Sequence, residues 1–149
     1  MWNIRSEDRL REWREFRIYI GTLSFDKAIH DTVHLWSYAP FVNHHLDHIE
    51  VQNWPTPWEL LSENKYDDTA KALGMLYTLF LSAHGKDHTF SILQVKGTTN
   101  LEQYNLVSID EGKYILNYIF DDIISKLQLE KEAQVIKQYT AVDLQLSKY

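Results

Sequence analysis

A chain of 149 residues has the size of one domain and, folded, hides roughly two thirds of the surface its unfolded form exposes. Its 21 acidic and 15 basic residues leave a net charge of -6, which repels a phosphate backbone and argues against nucleic acid as a partner. With no cysteine, the chain has no disulfide framework, no thiolate metal site and no cysteine nucleophile.

The opening residues MWNIRSEDRL lack the apolar core of a signal peptide, and no run is long enough to span a bilayer. The expectation is a soluble protein made in a cytoplasm, with no membrane partner. Leu10, Trp13, Phe16 and Ile20 recur at helical spacing, predicting an amphipathic helix over about 7–20 that Gly21 ends. Arg5, Arg9, Arg11, Arg14 and Arg17 alternate with Glu7, Asp8, Glu12 and Glu15, the pattern of a solvated helix face.

Ser24 is placed to cap a second helix through about residue 37, with Phe25, Ala28, Ile29, Thr32 and Trp36 on one face and Pro40 as its stop. This helix carries His30 and His34 one turn apart, the spacing of helix-borne zinc sites. His44, His45 or His48 offers a third ligand, and Asp31 or Asp47 a carboxylate base. Two histidines at this spacing are common by chance, so the expectation is no metal and no cofactor, with a metal-dependent hydrolase on His30 and His34 as the alternative.

The passage APFVNHHLDHIEVQNW has no clear period and reads as an irregular connection with at most a helical turn. Thr56-Pro57-Trp58-Glu59 is a helix start, with a capping threonine, proline at the first helical position and a glutamate that reaches back. Trp54 and Trp58 flank it and are the candidate interface anchors, although a plug over the core explains them as well.

Beyond NKYDD, the residues Ala70, Leu73, Gly74, Tyr77, Phe80 and Leu81 predict a buried helix to about residue 83, with Gly85 as its stop. The period then changes. HTFSILQV, QYNLVSI and KYILNYIF read as three antiparallel strands separated by GTTN and Asp110-Glu111-Gly112, where Gly112 suits a left-handed turn position. From Asp121 the chain is polar and helical in propensity, ending in a weakly patterned tail. The expected organisation is a single domain over 1–149: a helical part over 1–63, the central helix and strands over 64–120, and a C-terminal helix and tail over 121–149.

Helices, a central helix and then antiparallel strands is the order of a transglutaminase-like domain. NKYDDTAKALGMLYTLFLSAHG resembles that family's Gly-x-Cys-x-Asp-x-Ala helix opening, with Asp68 and Ala70 in register, and EQYNLVSIDEGKYILN is similar to its paired site strands. The resemblance covers about 59–118 and implies an α+β, papain-like fold. It also puts Tyr66, or Asp67 on a one-residue slip, at the nucleophile position, Glu102 at the histidine position and Asn117 at the aspartate position. A tyrosine hydroxyl with a pKa near 10 is no substitute for a thiolate, and none of the three supplies an imidazole.

Asp67, Asp68 and Glu63 do not face one another as an acid and base pair would, and capping explains them better. Ser62, Ser82, Ser91 and Ser108 lack a nucleophile-elbow pattern, and the five glycines are scattered singly. The expectation is therefore a non-enzymatic interaction protein on a transglutaminase-like scaffold. WPTPWEL and the aromatic-rich helix after it resemble small proteins of tailed bacteriophages, which implies a virion component with other protein subunits as partners. A peptide-binding module, with its cleft between Tyr66 and Asn117, is a further alternative.

Overall fold

The structure is a computed structural model and describes residues 1–43, 51–99 and 102–149. Helices α1 (Ser6–Gly21), α2 (Phe25–Ser37), α3 (Pro57–Glu63) and α4 (Asp68–Phe80) precede a sheet of β1 (Phe90–Gly97), β2 (Gln103–Ile109), β3 (Tyr114–Leu116), β4 (Ile123–Ile124) and β5 (Ala133–Tyr139), with the short α5 (Lys126–Glu130) before the last strand. The strand order is β4-β3-β2-β1-β5, and every pairing is antiparallel. The α+β class and the order of helices, central helix and antiparallel sheet are those expected.

Local chemistry sets the helix starts. Ser24 accepts from Lys27 N, Thr56 forms a full capping box with Glu59, and Asp67 accepts from Ala70 N. α4 is apolar nearly all round: only Asp68, Lys71 and Phe80 of its thirteen residues are not buried, as befits a helix enclosed on all sides. It lies against α2 through Gly74, where an added Cβ would sit 2.4 Å from the Trp36 ring. One turn on, Thr78 Oγ1 accepts from the indole nitrogens of Trp13 at 2.9 Å and Trp36 at 2.8 Å and donates to Gly74 O. One hydroxyl thus ties α1 and α2 to α4.

Strand alternation gives the sheet two faces. Phe90, Ile92, Val107, Ile109 and Leu116 join the helical core, whereas Leu93, Val95, Leu106, Ile115 and Ile124 form a second cluster with Leu129 and Ala133 beneath α5. The turn after β2 runs through Asp110 and Glu111, both at positive φ, and Gly112 at φ +92, confirming the left-handed position expected there.

Two expectations are corrected. KYILNYIF forms only the three-residue β3, because Asn117 takes a φ of 76 and turns the chain out of the sheet. The segment from Asp121 is not mainly helical: it supplies β4, the five-residue α5 and the edge strand β5. β5 needs only one row of ladder bonds, and a bulge opposite Gln94 and Val95 breaks its alternation, so its period was hidden. The weakly patterned tail returns to the core, where Leu144 and Leu146 are buried and Tyr149 meets Tyr77 edge-on.

Candidate functional site

The sheet brings β2 and the end of β3 to the N-terminus of α4. Asn105 in β2 shares the helix-facing side with Val107 and Ile109, and its Nδ2 donates to Thr69 Oγ1 at 2.9 Å. Asn117, in its left-handed conformation, donates through Nδ2 to Asp68 O at 2.8 Å and to Asn105 O at 3.2 Å. Thr69, Asn105 and Asn117 therefore form one polar floor, drawn from α4, β2 and the residue after β3, in which Asn117 reaches the cavity and Thr69 and Asn105 are buried beneath it. Amides can orient and bind a peptide group, but neither can take a proton from a nucleophile at neutral pH.

Around the floor is a cavity of about 210 Å³ lined by Ser37, Asp68, Lys71, Asn117, Tyr118, Ile119 and Phe120. Lys71 Nζ donates to Ser37 O at 3.0 Å and lies 5.7 Å from the Phe41 ring. Burial lowers its pKa from the ordinary lysine value, and the Asp68 carboxylate opposes that shift. The rim is apolar and open to solvent: Tyr38 (58%), Phe41 (56%), Ile119 (45%) and Phe120 (66%) are all exposed. Tyr38 meets Phe120 edge-on at 5.2 Å. Below them, Asp121 N donates to Ser37 Oγ, and the Asp121 carboxylate lies 3.0 Å from His34 Nδ1.

Of the residues picked out by register, Asn117 lies at this floor. Tyr66 does not face the cavity: it is 0% exposed, between Trp2 and Trp36, and its hydroxyl finds no hydrogen-bond partner among the described residues. Burial pushes its pKa well above the usual tyrosine value. Its backbone holds the rim in place, since Tyr66 N donates to Pro40 O and Val42 N donates to Tyr66 O. A cleft between Tyr66 and Asn117 is thus replaced by one between the rim and Asn117. Glu102 precedes β2, exposed, and accepts from the Tyr104 hydroxyl, while Asn105, three residues on, is the β2 residue that reaches α4.

Trp54 is partly buried against Tyr139, whereas Trp58 is 47% exposed. His30 and His34 are exposed on α2. Among the described residues no group of three potential metal ligands forms, and His44, His45 and His48 lie outside those residues. The floor residue Asn105 had a signal in the sequence, an amide in register with the two apolar residues that follow it on the buried side of a strand. The rim had none, because it is assembled from two segments far apart in sequence, at 38–41 and 119–120.

No family model matches the chain, and no curated protein matches it in sequence. Among solved structures it is similar to calcium-bound LapG of Legionella pneumophila, with a TM-score of 0.71 and 12% identity over 93% of this chain and 78% of that one. LapG is a transglutaminase-like cysteine protease. This overturns the expectation that the chain is no enzyme: the fold it adopts is that of an active protease. The absence of cysteine removes the thiolate from the likeness, and Glu102, at the histidine position of the resemblance, supplies no imidazole.

Proposed function

We propose that the chain recognises a polypeptide segment in the cleft at the N-terminus of α4. One observation carries this reading. Exposed apolar side chains from two separate segments, Tyr38 and Phe41 at and after the end of α2 and Ile119 and Phe120 after β3, flank a cavity whose wall includes the side-chain amide of Asn117. Exposed apolar patches rimming polar groups are characteristic of interaction sites. An extended peptide would set its apolar side chains against the rim and its backbone groups against the amide floor. Any chemistry in this cleft runs without a thiolate.

The partner class is another protein, and a virion subunit is the source suggested by the resemblance of WPTPWEL to phage sequences. Selection of a random peptide library on the immobilised protein tests the proposal. Selected peptides should bind the native protein and lose at least about tenfold in affinity, or 1.4 kcal/mol, to Phe120→Ala and to Phe41→Ala. Binding that both substitutions leave unchanged would refute it.

A further inference from the structure

Helix α1 holds Arg9, Arg11, Arg14 and Arg17, with Arg5 as its N-cap, and the structure treats these five arginines differently. Arg5 and Arg11 pair with Asp8, and Arg9 is buried with its guanidinium donating to Leu61 O, Ile4 O and Ser62 O. Arg14 and Arg17 make no ion pair or hydrogen bond among the described residues. Arg17 stacks on aromatic faces instead, with Cζ 4.2 Å from the Trp13 ring and 5.8 Å from the exposed Trp58 ring, and its Nε is buried with no partner. Stacking satisfies the flat face of a guanidinium but leaves its edge donors unused.

Those two arginines line one open cavity of about 380 Å³ together with Ile18, Thr22, Leu81 and Ser82, and among the described residues no carboxylate stands in its wall. Burial disfavours the charge of Arg17, and repulsion from Arg14 adds to that cost. An anion in the cavity would relieve both. In a chain with a net charge of -6, two unpaired arginines on one helix face stand out from the pattern of the other three. Glu12 and Glu15 on the same helix would repel a polyanion, which favours a single carboxylate in an apolar setting over a nucleic acid or polyphosphate.

We propose that this surface, with Arg14 and Arg17 as the charged fork and Trp58 with Ile18 as the apolar flank, docks an acidic segment of a protein partner through a glutamate or aspartate side chain. It is separate from the cleft at α4 and does not depend on that reading. The carboxylate takes the edge donors of Arg17 while the indole beneath keeps the guanidinium planar and aimed. Trp and Arg together at a partly buried position are the composition of an interface hot spot.

The test uses the full chain and a capped hexapeptide of alternating glutamate and leucine, against the same peptide with glutamine for glutamate and against inorganic phosphate. The glutamate peptide should bind and weaken as salt rises. Its affinity should fall at least tenfold for Arg17→Gln and for Arg14→Gln, the second being an exposed change that leaves the fold intact. The proposal is overturned by equal binding of the glutamine peptide, by affinities that both variants leave unchanged, by failure of the glutamate peptide to bind, or by phosphate occupying the site in its place.

Discussion

At the scale of the single residue, Thr78 has the largest structural consequence. Its oxygen is the acceptor for two buried indole N–H groups, and an orphaned buried donor costs about 1–3 kcal/mol. Thr78→Val, which keeps the shape and removes the oxygen, should destabilise by about 2–4 kcal/mol. Thr78→Ser keeps the oxygen and loses a methyl, at a cost of about 1 kcal/mol. Urea unfolding should rank valine below serine, and the reverse order would mean that packing rather than hydrogen bonding sets the value of this position.

Tyr66 and Tyr77 give a second residue-scale expectation. Burial raises the pKa of both above the ordinary value. The folded form therefore keeps protons that the unfolded chain releases above about pH 10. The sign follows: these phenols leave stability unchanged below that pH and lower it as pH climbs beyond. Tyrosinate absorbance should show both groups ionising together with unfolding, and free titration of all nine tyrosines in the folded protein would contradict this. That Tyr66 is core rather than cleft was not legible in NKYDD, because a residue just ahead of a helix N-cap can point either way. That Asp67 or Asp68 caps the helix was legible, since a short side-chain acceptor suits that position, and the structure gives the role to Asp67.

Among the elements, α4 is the one on which the others converge. Asp67→Ala removes its cap and should cost about 1 kcal/mol. Gly74→Ala sets two effects against each other. Helix propensity favours alanine by about 1 kcal/mol, but the new methyl meets Trp36 at 2.4 Å, and overpacking of a filled core costs about 1–3 kcal/mol. Packing should win, so the urea midpoint should fall. A rise would show that α2 can move away from α4.

α2, α3 and α4 were legible because each joins a capping side chain, Ser24, Thr56 or Asp67, to apolar positions at helical spacing, and α1 was legible from its apolar stripe alone. β1 and β2 were legible from their apolar runs and the Asp110-Glu111-Gly112 turn between β2 and β3. β5 was not, because an edge strand with a bulge has too few buried positions to set a period. β3 was read too long, because asparagine at a left-handed position looks in sequence like one more strand residue.

For the molecule as a whole, order of elements was enough to place the chain in a transglutaminase-like arrangement, and the likeness to LapG bears that out. The expectation that no enzyme lies behind this sequence did not survive the same comparison, for a physical reason. Absence of a thiol excludes one mechanism, whereas a fold constrains only where a site can be. The site's floor is held by side-chain amides and its rim by chain segments far apart in sequence, so no linear motif announced it.

The central claim is that a polypeptide binds at the rim of Tyr38, Phe41, Ile119 and Phe120 over Asn105 and Asn117. Its most direct test is a nuclear magnetic resonance titration of the isotope-labelled protein with a library-selected peptide, following the side-chain amide signals. The signals of Asn105 and Asn117 should shift together with the backbone of residues 38–42 and 118–121. Shifts confined to other surfaces, with both amides unmoved at saturation, would contradict it.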